Sequence, residues 1–200
     1  DDAGPPPLVP GCWSPAVVVS GPQVLTYRFA VDASGHGVLT WFDNRDLRVV
    51  TSRSLDDGGW TRRRALSAPD AGTTGAYVFR MLSNASGEVV ALWSDGVPKE
   101  DVTLRLARYS PDAGWRPSEA IGSAHRFISK ADAVLHANGD IDVVWAEPEL
   151  PDVVASVWAR RRTAEGGWGA ARIVSSMDFV LVAGPVMASS SSGDLLTGWV

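Results

Sequence analysis

The stretch "SGHGVLTW" (34–41) decides the fold, because the chain writes it again as "SGEVVALW" (86–93), "NGDIDVVW" (138–145) and "SGDLLTGW" (192–199). Each copy is a glycine-bearing turn, a short apolar run and a closing tryptophan. The four tryptophans, Trp41, Trp93, Trp145 and Trp199, are spaced by 52, 52 and 54 residues. A second marker keeps the same step: "DGGW", "DAGW" and "EGGW" end at Trp60, Trp115 and Trp168. Self-similarity at such a period marks a solenoid, a propeller or an array.

Within one period the chain reads as four strands. "VLTYRFAVDA" (24–33) runs into the turn, "VLTWF" (38–42) follows it, "LRVVTSRSL" (47–55) alternates, and "DDGG" turns into "WTRRRALS" (60–67). Short strands at even spacing, punctuated by Gly, Asn, Asp and Ser, indicate antiparallel all-β structure. The second strands are apolar on both faces, as expected for sheets sandwiched between neighbours. Four-stranded units of this length, stacked face to face, describe a β-propeller, with the tryptophans as plates between blades.

The boundaries follow from the repeat. Residues 1–10 form a proline-rich leader, and 11–20, "GCWSPAVVVS", matches a fourth strand beside "GWGAARIVS" (167–175). Full blades are expected at about 24–67, 76–122 and 128–175, with a partial blade at 180–200. The fourth blade is thereby split, with its outer strand at 11–20 and its third strand missing. Three consecutive prolines in the leader cannot serve an interior ladder. Either the chain belongs to a longer propeller, the preferred reading, or a partner finishes the blade.

Composition removes several classes of function. Two hundred residues carry a net charge of −5, which argues against a nucleic-acid partner. Hydrophobic residues make up 45% of the chain, enough for a sizeable core, yet no apolar run is long enough to span a membrane as a helix. The lone Cys12 forbids an internal disulfide or a cysteine-rich metal site. The histidines His36, His125 and His136 are scattered, and no metal or cofactor site is expected.

The turns before the second tryptophan set resemble the Asp box of bacterial sialidase-like propellers, Ser/Thr-x-Asp-x-Gly-x-x-Trp. "SLDDGGW" supplies Ser54, Asp56, Gly58 and Trp60 in order but one residue short. "SPDAGW" (Ser110, Asp112, Trp115) and "TAEGGW" (Thr163, Gly166, Trp168) depart further. In that family the box is a folding element distant from the active face. The resemblance implies a catalytic set of three arginines gripping a sugar carboxylate, an acid, and a tyrosine–glutamate nucleophile pair.

Candidate site residues come from the repeat itself. Seven positions before the turn glycines Gly35, Gly87 and Gly139 stand Arg28, Arg80 and Asp132. Two positions after the phrase tryptophans stand Asp43, Asp95 and Glu147. First strands begin and second strands end on one propeller face, so these six residues are expected around the channel there. The third arginine position is Asp132, and only Tyr27, Tyr77 and Tyr109 exist, so the sialidase set is not assembled. The six are read either as ligand contacts or as mutual ion pairs. Arg53, Arg108 and Arg161 recur seven residues before each turn tryptophan, which suggests a structural job such as stacking on it. Trp158, unexplained by the repeat, is either a sugar-stacking platform or filler between blades.

The residues together imply a non-catalytic, secreted propeller module that binds a glycan or protein through Arg28, Arg80, Asp132, Asp43, Asp95, Glu147 and Trp158. The alternatives are a sialidase-like glycoside hydrolase whose catalytic set is completed outside this chain, and a structural scaffold that self-associates through its incomplete blade.

Overall fold

The computed structural model of the chain describes residues 17–20, 24–68, 75–96, 101–125, 128, 130–149, 154–175, 184–190 and 192–199. Everything in it is strand and turn. A first antiparallel sheet is ordered β1 (Val24–Val31), β2 (Gly37–Asp43), β3 (Arg48–Arg53) and β4 (Arg64–Ala65). The second holds β5 (Gly75–Ser83), β6 (Val89–Gly96), β7 (Asp101–Ser110), β8 (Gly114–Trp115) and β9 (Glu119–His125), the last two both pairing with β7. The third is ordered β10 (Lys130–Leu135), β11 (Ile141–Glu149), β12 (Val154–Arg162) and β13 (Arg172–Ile173). A two-stranded sheet of β14 (Val186–Ser189) and β15 (Leu195–Gly198) follows. The first strands pack in succession, β1 on β5, β5 on β10 and β10 on β14, so the sheets stand radially around a common axis as in a β-propeller.

The repeated phrase explains both the turns and the packing. In all four copies the glycine has a left-handed φ, between 78° and 88° at Gly35, Gly87, Gly139 and Gly193. A side chain there would be strained, so glycine is required to bring the second strand back alongside the first. The turn closes each time with one pair of backbone bonds, such as Gly35 N–H to the Asp32 carbonyl and Asp32 N–H to the His36 carbonyl, both 2.9 Å. Asp32 and Asn84 add their side-chain oxygens to the same turn, each accepting two backbone N–H groups.

The tryptophans that close the phrase are the plates between sheets. Trp93 lies in a cluster with Val38, Phe42, Val49 and Leu66 of the first sheet. Trp145 lies in the next cluster with Leu104, Leu106 and Ile121 of the second sheet. Each indole therefore covers the sheet that precedes its own. Trp41, equally buried, has no complete sheet on that side among the described residues. Residues 17–20 and Val24, Tyr27 and Leu39 surround a cavity over it.

Two expectations need correction. The fourth strand of the first sheet is shorter than "WTRRRALS" suggests: after the Ser54–Trp60 bridge, ladder pairing resumes only at Arg64–Ala65. Thr61 interrupts it by accepting the Arg53 N–H on its hydroxyl, while its carbonyl takes the Ser52 hydroxyl. The recurring Arg53, Arg108 and Arg161 do not stack on tryptophan. Each instead grips a carboxylate at its own blade's turn: Asp32 at 2.6 Å, Glu88 at 3.0 Å and Asp142 at 2.6 Å. Arg53 also lies 5.9 Å from the ring centroid of Tyr109 in the next sheet. The neighbour Arg160 is the residue that covers Trp168, at 5.5 Å. The leader and most of the 11–20 segment lie outside the described residues.

Two outcomes follow. A Cβ on Gly122 would sit 2.7 Å from Cζ2 of the buried Trp145. Gly122→Val should therefore lower stability by about 1–3 kcal/mol through overpacking, read as a lower urea midpoint. Acid sensitivity should arise at Asp32. Its burial favours the neutral form, but the bonds from Arg53 and from the His36 and Ser34 N–H groups outweigh this and hold it below the usual 3.8. Asp140 is likewise lowered, first by the Ala164 N–H. A carboxyl depressed on folding stabilises above its unfolded value and loses that contribution as pH falls through the folded one. Thermal stability should drop on acidification from the unfolded aspartate value near 4 downward, and Asp32→Asn should flatten that drop.

Candidate functional site

The repeated candidates lie along β1, β5 and β10 and toward the ends of β2, β6 and β11. The repeat carries one residue per blade to equivalent places there, and the structure shows what each one holds. Arg28 donates from Nε to the Phe79 carbonyl of β5 at 2.8 Å, and from NH1 to its neighbour Tyr27's carbonyl at 2.7 Å. Arg80 reaches one blade on and grips Asp132 with both Nε and NH2. That carboxylate raises the guanidinium's pKa above its ordinary value. Asp132 in turn accepts the Met187 N–H of β14 at 2.9 Å, as well as the Ala133 N–H. Residues 28, 80 and 132 thus form a polar staple running around the axis, each tied to the following blade.

The acids after the phrase tryptophans are held differently from blade to blade. Trp93 donates its indole N–H to Asp95 at 3.1 Å, and Arg105 adds a 2.8 Å bond. Trp145 donates to Glu147 at 2.7 Å. In the first sheet Asp43 is taken by Arg63 and by the Arg45 N–H, and Trp41 Nε1 is left buried without a partner. Asp43, Asp95 and Asp132 are all buried, each bonded to an arginine.

Trp158 is half-buried and packs against the core between the second and third sheets. It stacks on Trp145 with centroids 6.3 Å apart and planes 12° from parallel, and its Nε1 is buried. Register explains this, since Trp145 and Trp158 are direct partners across β11 and β12.

Beside Arg28 lies a cavity of about 480 Å³ lined by Thr26, Tyr27, Arg28, Phe29 and Tyr77. Tyr27, Phe29 and Tyr77 are exposed. The Arg28 guanidinium lies 5.7 Å from the Tyr77 ring centroid and 3.4 Å from its hydroxyl. Unlike Arg80, Arg63 and Arg105, it has no carboxylate partner among the described residues. Tyr27, Phe29 and Tyr77 escaped the sequence reading because they belong to no repeated set. A guanidinium position lacking a repeated acid beside it was the available signal.

No protein-family model matches the sequence, and no curated protein sequence matches it. Solved structures do. An α-L-arabinanase of Penicillium chrysogenum, complexed with arabinobiose, superposes with a TM-score of 0.62 at 13% identity over 91% of this chain. The family GH93 α-L-arabinofuranosidase of Fusarium graminearum gives 0.59 at 12% identity over 89%. The polysaccharide lyase Uly1 gives 0.53 at 16% over 86%. The chain spans 58%, 56% and 48% of those three chains, so it corresponds to about half of each. At such identities the likeness is one of fold, and the fold is the β-propeller that the repeat specified.

The staple makes a testable claim. Asp132→Ala leaves a half-exposed Arg80 and an unmet Met187 N–H, and should cost about 1–3 kcal/mol. Hydrogen exchange should show the loss concentrated in β14 and β15, with the first sheet unaffected.

Proposed function

We propose that this chain is a non-catalytic glycan-binding β-propeller module whose ligand sits in the cavity of Thr26, Tyr27, Arg28, Phe29 and Tyr77. The observation that carries this reading is the Arg28 guanidinium, bonded to two carbonyls beside a cavity lined by exposed aromatic residues and lacking a carboxylate partner among the described residues. Ring faces offer flat apolar surface, and a fixed cation offers directional donors, the combination that ligand cavities use for affinity and orientation. Supporting it, the proteins that share the fold act on arabinan-type sugars or polysaccharides. The sialidase-like repeat points the same way, and secretion fits a glycan ligand.

The binding reading is preferred to hydrolysis because Asp43, Asp95 and Asp132 are consumed by arginines and backbone donors. Glycosidases need two carboxyl groups free to face the scissile bond. A second reading rests on the share of each neighbour that is matched. A half-propeller of a glycoside hydrolase would bring the remaining catalytic groups from outside these residues. Reconstitution of hydrolysis by adding the missing half would favour it.

The test is a binding screen against arabinan oligosaccharides and neutral and acidic glycans, followed by Arg28→Ala and Tyr77→Ala on any hit. Each variant should weaken binding by about tenfold or more, the loss of one charge-assisted bond or one stacking face. A blank from folded protein, or binding indifferent to both variants, would remove the assignment.

A further inference from the structure

The repeat writes the end of a fourth strand three comparable ways, "VVVS" (17–20), "RALS" (64–67) and "RIVS" (172–175). Two of these are paired. In the first sheet the Leu66 N–H donates to the Val49 carbonyl at 2.8 Å, and the Val49 N–H returns to the Ser67 hydroxyl at 3.0 Å. In the third sheet the Val174 N–H donates to the Val157 carbonyl at 2.8 Å, and the Val157 N–H returns to the Ser175 hydroxyl at 2.9 Å. The serine oxygen thus stands in for a ladder carbonyl where each outer strand ends. Val19 and Ser20 occupy the same two positions, yet no described third strand pairs with them.

Their place in space matches that role. Leu66 packs with Trp93, the plate of the following sheet. Val19 lines the cavity of about 360 Å³ over Trp41, the plate of the first sheet, together with Val17, Val18, Ser20, Val24, Tyr27 and Leu39. Val18 stands 90% exposed. Trp41 Nε1 is the second observation, a buried donor with no acceptor among the described residues, a state it shares with Trp158, whereas the equivalent tryptophans Trp93 and Trp145 both have one.

The geometry points to a strand-accepting edge: Val17–Ser20 is the outer strand of a further blade seated on the first sheet, and its partner is an extended, alternately apolar third strand of this same repeat. The incoming strand presents one carbonyl to the Val19 N–H and one N–H to the Ser20 hydroxyl, and its sheet covers the cavity over Trp41. This is strand addition, in which the backbone gives affinity and the apolar cavity gives register. The edge is independent of the Arg28 contacts proposed for the ligand, although Tyr27 borders both cavities.

The probe is a labelled peptide with the sequence of residues 47–55, the third strand that carries Val49, titrated into the whole chain. Saturable binding is expected, absent for a scrambled peptide and for one with proline at the Val49 position. Val19→Pro should abolish it, and Ser20→Ala should weaken it about fivefold. Val19 and Ser20 are half-buried but carry no backbone ladder bond among the described residues, so the variants should keep the wild-type thermal transition. Arg28→Ala should leave peptide binding intact, which separates this result from failure of the ligand assignment. No binding to the wild-type chain overturns the inference. Binding that survives Val19→Pro also overturns it, because the strand then sits on another edge.

Discussion

A sheet whose second strand is apolar on both faces must be covered on both faces, and that constraint organises the molecule. Val89 to Trp93 are buried in succession, with side chains alternating between two neighbours. An isolated hairpin could not hide such a strand, and a two-layer sandwich would hide only one side of it. Radial stacking hides both, provided the wedge between sheets is filled. The indoles of Trp93 and Trp145 fill it, each directed back at the preceding sheet. Gly122, where any side chain would strike Trp145, shows how closely the plate is fitted.

Polar groups lock what the indoles space. Burying a carboxylate is costly unless it is bonded and paired, so the acids of this fold appear where arginines and N–H groups converge. At one end Asp32, Glu88 and Asp142 receive Arg53, Arg108 and Arg161, tying third strands to first turns within a blade. At the other end Arg80 and Asp132 tie one blade to the next, and Asp132 extends the tie to β14. The two layers answer different needs, since the first sets the hairpins and the second sets their succession about the axis.

This division explains what the sequence made legible. Periodicity is a property of the backbone and the core, so the strands, the glycine turns and the tryptophan plates could all be read from spacing. A repeated charged residue has a repeated structural job for the same reason. Asp43 and Asp95 recur at one place in successive blades, and in both an arginine bonds the carboxylate. The cavity residues Tyr27, Phe29 and Tyr77 break the pattern, so spacing could not find them. Arg28 was found by spacing, but its solitude shows only in the geometry, where the next blade offers it a carbonyl in place of the aspartate offered to Arg80. Trp158 was separable from a surface platform only once its register opposite Trp145 was known.

Tyr27 joins the cavity beside Arg28 to the side of the first sheet that no complete sheet covers among the described residues. Along β1 the side chains alternate: Ala30 and Asp32 are buried, whereas Tyr27, Phe29 and Val31 are exposed. In the interior sheets the corresponding surface is covered by a neighbour, and its aromatic content would be core. Here Tyr27 forms part of the wall of both cavities. A blade seated on Val17–Ser20 would cover that side of Tyr27 and leave the Arg28 contacts to β5 as they are, so the two cavities share one aromatic residue while the edge and the guanidinium stay separate features.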